Sequence, residues 1–102
     1  MPTLEEVSDY SQIDWSLIPE HCRDGIRRYL EEGAVVGDFL TAVISNDLRE
    51  ACLRADHVNI LRLRDYVMFL CNFAPRDSWG SVENVEAWID RGGLQGKSAE
   101  AA

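Results

Sequence analysis

The chain has 102 residues, which is room for one domain. Eighteen acidic against ten basic residues give a formal net charge of −8, which excludes non-specific attachment to a nucleic-acid backbone, because like charges repel. Its composition is 46% hydrophobic, with three Trp, three Tyr and three Phe, enough for a packed core, and no apolar run approaches the length of a membrane span.

The elements are predicted in chain order. Thr3-Leu4-Glu5-Glu6 has the form of a capping box, which predicts a short helical turn through Tyr10. Residues 11–18 form a connector, with Ile13, Trp15, Leu17 and Ile18 expected to pin it to the core. Pro19 then opens a helix over 19–32 at the first helical position, where its missing N–H costs nothing. Cys22, Ile26, Tyr29 and Leu30 supply its buried stripe, and Gly33 its C-cap. Gly25 inside this helix costs about 1 kcal/mol relative to alanine and allows a close neighbour.

The clearest periodicity comes next, over 37–54. Leu40, Ile44, Leu48, Ala51 and Ala55 recur at spacings of three and four, and Phe39, Val43 and Cys52 widen the stripe. One long central helix is the expectation. Ser45-Asn46-Asp47, three residues that favour caps, mark the alternative of a break into two shorter helices. Asp56 is a good cap for a third helix over 58–73, with Ile60, Leu63, Val67, Leu70 and Ala74 as its stripe. Leu61, Tyr66, Phe69 and Phe73 broaden that stripe, so this helix is expected to be the most buried. Pro75 ends it. A polar loop over 76–80 carries Trp79. Ser81 caps a last helix bearing Val82, Val85, Trp88 and Ile89, which Gly92-Gly93 terminates. The predicted fold is all-α: a compact bundle of four main helices plus the short N-terminal helical turn. Residues 1–94 are expected to form a single helical domain, and 95–102 a flexible C-terminal tail.

Cys22, Cys52 and Cys71 are widely spaced and odd in number, and each sits in an apolar helical pattern. Buried free thiols in a reducing compartment are the expectation. The acidic N-terminus lacks the apolar run of a signal peptide, so a cytoplasmic location in whatever cell makes the protein is expected.

Three constellations invite a chemical reading. His21-Cys22 has the residues of a nucleophilic pair, but adjacent helical positions diverge by about 100°. Asp56-His57 reads as a cap followed by a loop histidine. Glu20 and Asp24 share a helix face near His21, where solvated charge is the common case over metal ligation. No catalytic, cofactor-binding or metal-binding residue is nominated, and no enzyme activity is expected. Binding is the more promising reading. Glu5, Glu6, Asp9, Asp14, Glu31, Glu32 and Asp38 concentrate negative charge in the N-terminal half, where residues 1–50 hold 11 acidic and 4 basic groups. Such a set either solubilises the chain or addresses an arginine- or lysine-rich groove. Trp79 in its loop is a core lid or an interface anchor.

Several segments together resemble a family of small phage and prophage proteins of unknown biochemical activity. They include Ile18-Pro19-Glu20-His21, Arg28-Tyr29-Leu30-Glu31-Glu32-Gly33, Gly37-Asp38-Phe39-Leu40-Thr41-Ala42-Val43 and Asn46-Asp47-Leu48. Further along come Arg54-Ala55-Asp56, Asn72-Phe73-Ala74-Pro75, Trp79-Gly80-Ser81 and Trp88-Ile89-Asp90-Arg91-Gly92-Gly93-Leu94, so the likeness spans about residues 18–94. The family often has proline before the glycine matching Gly37; Val36 stands there in this chain and makes the turn less rigid. The resemblance implies no catalytic residue. It implies a context in which small acidic proteins bind and block host machinery, anti-CRISPR proteins among them. The expected partner is a host protein or protein–RNA complex such as a CRISPR effector, or else another phage protein served by an accessory module. Neither direct nucleic-acid binding nor a membrane is expected, and the chain is expected to be a monomer or a weak dimer.

Overall fold

In the computed structural model of the chain, residues 13–96 are described, and they form helices and turns with no strand among them. A 3-10 turn at Trp15–Leu17 leads into α1 (Glu20–Glu32), α2 (Asp38–Ile44) and α3 (Leu48–Arg54). A second 3-10 turn, Asn59–Arg62, runs into α4 (Leu63–Phe73). A third, Arg76–Ser78, precedes α5 (Val82–Arg91). The all-α expectation holds among the described residues, but the four main helices expected are five, because the central stretch divides in two. The N-terminal turn expected through Tyr10 lies outside the described residues, as do residues 97–102 of the tail expected over 95–102; residues 95 and 96 belong to a short helical turn over 93–96.

α1 begins one residue later than expected: Pro19 is its N-cap, and the Pro19 carbonyl accepts the N–H of Cys22 at 2.9 Å. At the other end Gly33 turns left-handed, with φ 73°. This glycine does more than cap. A Cβ on Gly33 would lie 2.8 Å from the Gly93 nitrogen, and one on Gly93, itself at φ 68°, would lie 2.6 Å from the Gly33 nitrogen. The ends of α1 and α5 therefore meet main chain against main chain, a separation that only glycine allows on both sides.

The central stretch is two helices, not one. Asn46 adopts φ 62°, the left-handed conformation that asparagine tolerates and bulkier residues resist. Its N–H and that of Asp47 return to the carbonyls of Val43 and Ala42, at 3.1 and 2.9 Å, which closes α2. Asp47 then opens α3 by accepting the Glu50 N–H on its side chain at 3.2 Å. The cap-forming trio thus outweighs the apolar periodicity that ran through it.

The core gathers Ile18, Ile26, Tyr29, Leu30, Ile44, Tyr66, Phe69, Leu70 and Trp88, all buried. Two polar handles inside it are satisfied. The Trp88 indole N–H donates to the Tyr29 carbonyl at 2.9 Å, and the Tyr29 hydroxyl donates to the Ser78 carbonyl at 2.6 Å. Tyr29 thereby joins α1 to α5 and to the 76–78 turn. That turn, read from sequence as a polar loop, is locked down: Ser78 is fully buried and bonds the Pro75 carbonyl with both hydroxyl and N–H. Trp15 and Phe39 pack their rings on Phe69 and Tyr66, with centroids 5.0 and 5.4 Å apart.

α4 departs from its expected face. Tyr66, Phe69 and Leu70 are buried, whereas Val67 is 46% exposed and Leu61 83% exposed. For Ile60 and Leu61 the cause is a change of period. Residues 59–62 are wound as a 3-10 turn with three residues per turn, so Ile60 and Leu61 fall out of phase with the α-helix that follows. The two aromatic rings, with the larger apolar area, then take the inward positions. Two thiols also miss their expected burial. Cys22 is buried as expected, but Cys52 and Cys71 are exposed. Cys52 follows the break at Asn46, and α3 turns Ala51 inward in its stead.

Candidate binding surface

Three of the nominated carboxylates, Glu5, Glu6 and Asp9, lie outside the described residues. The rest are scattered among different tasks. Asp14 caps the first 3-10 turn by accepting the Ser16 N–H at 3.1 Å. Glu31 is only 7% exposed and receives the Arg27 guanidinium at 3.0 Å, so it is a packed, neutralised group and not a presented charge. Glu32 is exposed at the end of α1, and Asp38 is exposed at the start of α2, on the two sides of the 33–37 turn. Trp79 packs partly buried against the core, and its carbonyl accepts the Asn84 side-chain N–H at 2.9 Å. It sits as a lid.

Asp38 belongs to a different group from the one the sequence suggested. With Asp47, Glu50 and Arg54 it lines a hollow of about 230 Å³ along the α2–α3 corner. The Arg54 guanidinium lies 3.3 Å from both Asp38 and Glu50. Three carboxylates there face one guanidinium, so the hollow is net negative. These pairs are solvent-exposed, and each contributes well under about 1 kcal/mol.

Next to the hollow runs an apolar groove. Ala42, Val43, Leu48, Ala51, Leu63 and Val67 line it, drawn from α2, α3 and α4. Its volume is about 60 Å³, space for roughly four waters or one aliphatic side chain. Ala42 and Asp47 line both features, so groove and hollow adjoin. Leu48 stands 70% exposed beside it. Sequence reasoning missed the groove because the apolar stripe was carried unbroken through Asn46. The signal that would have found it is Ser45-Asn46-Asp47 itself: with a break there, Leu48 falls in the first turn of a new helix.

The three chemical constellations also resolve. Asp56 pairs with His21 across the molecule, not with its neighbour His57, at 3.4 Å between imidazole Nε2 and carboxylate Oδ2. The other carboxylate oxygen accepts the N–H groups of Asn59 and Val58 at 2.7 and 3.0 Å. The Asn59 N–H foremost, joined by that of Val58 and the His21 imidazole, holds the Asp56 carboxyl below its ordinary value of 3.8. Inside this pair Asn59 is buried, and its side-chain oxygen accepts the Tyr66 hydroxyl at 2.7 Å. Cys22 lies 3.8 Å from the Asn59 amide nitrogen. Burial pushes the Tyr66 hydroxyl well above its ordinary range. His21 and Cys22 therefore engage different partners, one outside and one inside. The arrangement staples α1 to the 59–62 turn. Among the described residues no group of three or more His, Cys, Asp or Glu is placed to hold a metal ion, and no helix is long and apolar enough to cross a membrane. No family model, curated protein or solved structure matches the chain.

Proposed function

We propose that the chain is a phage-derived binding protein that inhibits host defence, most specifically an anti-CRISPR protein that blocks a type I effector complex in the cytoplasm of the host bacterial cell. The observation that carries this reading is the carboxylate set along the α2–α3 corner, Asp38, Asp47 and Glu50, on a chain of net charge −8. Carboxylates held on two short helices complement a basic groove built for nucleic acid, and long-range attraction between them speeds encounter. The sequence resemblance supplies the phage context. In this reading the chain acts as a monomer or weak dimer, needs no cofactor and performs no chemistry on its target.

The test is DNA binding by a purified type I effector complex in the presence of the protein. Inhibition is expected to weaken as salt is raised and to be lost on charge reversal by Asp38→Lys with Glu50→Lys. Undiminished inhibition by that double variant rules out the charge-based mode. A second reading, a phage accessory module that binds another phage protein, draws support from the apolar groove, since a purely electrostatic contact has no use for it. Pull-down from infected and uninfected cells separates the two, because only a host-directed inhibitor finds its partner in both.

A further inference from the structure

We infer that the groove between α2, α3 and α4 docks a basic amphipathic helix of a partner protein. This rests on the binding reading above and adds the chemistry of the guest. The floor of the groove is aliphatic, from Val43, Ala51 and Leu63, and Leu48 and Val67 flank it partly exposed. An aliphatic anchor seated there would cover both. The hollow of Asp38, Asp47 and Glu50 continues from it through the shared Ala42 and Asp47. A guest that fills the groove therefore carries its next polar groups over carboxylates, and lysine or arginine is the residue type that complements them. The guest's backbone must also be satisfied. The described residues offer no strand edge to which an extended peptide could add. A helix, which bonds its own backbone, meets that condition and presents leucine-type anchors at i, i+3, i+4 and i+7 with cations beside them.

Other exposed apolar side chains fall in the same part of the chain. Leu53, Val58, Ile60 and Leu61 are all exposed alongside Leu48 and Val67, whereas Val35 and Val82 stand outside this segment. Scattered single apolar residues are ordinary on a protein surface; six within twenty consecutive positions, two of them lining the groove, are not.

The probe is an acetylated and amidated helical peptide of about 14 residues with leucine at i, i+3, i+4 and i+7 and lysine or alanine elsewhere. Its control is a peptide of the same composition with the leucines scrambled. Fluorescence anisotropy of the labelled peptides reads binding to the full-length protein. We expect one-to-one binding of the amphipathic peptide, at least about tenfold weaker with Leu48→Asp and with Val67→Asp. Weakening by Glu50→Lys, and by salt, is expected to be several-fold. Circular dichroism confirms folding of each variant, and Leu48→Ser, at an exposed site, provides a milder second change. Equal binding of the scrambled peptide overturns the proposal, because charge alone then suffices. So does binding that Leu48→Asp and Leu48→Ser leave unchanged, or no binding of either peptide. Sedimentation covers the remaining occupant: a dimer abolished by Leu48→Asp, with no peptide binding, assigns the groove to a second copy and overturns the helix-docking proposal. Effector inhibition that survives Leu48→Asp removes the groove proposal and leaves the functional reading standing. Peptide binding without effector inhibition does the reverse.

Discussion

The junction of α1 with α5 and the corner formed by α2, α3 and α4 are built on opposite principles. At the first, Tyr29 and Trp88 are fully buried, their polar atoms are paired through the Tyr29 carbonyl and the Ser78 carbonyl, and Gly33 meets Gly93 at main-chain contact. At the second, two helices of seven residues each meet at the Asn46–Asp47 turn, only the second carries a side-chain N-cap, and Leu48 and Val67 remain in contact with solvent. Isolated helices that short are unstable in water, so α2 and α3 depend on packing against the rest. The difference teaches that the molecule separates stability from surface. The α1–α5 junction supplies the rigidity, and the α2–α4 corner keeps apolar area and carboxylates available.

The comparison can be broken from its strong side first. Trp88→Ala removes the largest buried side chain and the indole hydrogen bond, and is expected to cost about 3–5 kcal/mol in chemical denaturation. Gly93→Ala combines a left-handed backbone with a Cβ 2.6 Å from the Gly33 nitrogen; a loss of at least about 1–2 kcal/mol is expected. An unaffected melting temperature in that variant would mean that the two helix ends do not meet. On the weaker side, Asp47→Ala deletes the cap of α3 and is expected to cost about 1 kcal/mol.

A smaller effect tests the join between the two regions, where His21 meets Asp56. The folded carboxyl of Asp56 titrates below its ordinary 3.8, so its contribution is complete above about pH 4 and is lost as pH falls through the lower, folded value. Stability measured against pH should therefore decline on the acid side, and Asp56→Asn should shrink the part of that decline due to this group. An identical acid limb in the variant would show that the staple carries no stability.

Local chemistry was legible in the sequence, and relations across space were not. Gly33, Pro75, Ser81 and Gly92 bound their helices where residue type alone placed them. The break at Asn46 was legible as an alternative, because Asn46 and Asp47 carry their own turn and cap chemistry. What the sequence did not reveal depends on phase or on distant partners. The face of α4 rotated because the 59–62 turn has a different period, which no stripe count registers. Glu31 read as surface charge, although Arg27 four residues earlier was already the partner that lets it be buried. Gly33 and Gly93 are each an ordinary helix terminator in one dimension; their contact exists only in three.

The central claim is that the exposed corner, not the glycine junction, is the surface that meets a partner. Amide chemical shifts of the wild-type protein, titrated with the leucine–lysine helical peptide, test it most directly. Shifts are expected to cluster on Ala42, Val43, Leu48, Ala51, Leu63 and Val67, with Gly33, Gly92 and Gly93 unmoved. Shifts centred on the α1–α5 junction, or spread evenly over the chain, would contradict it.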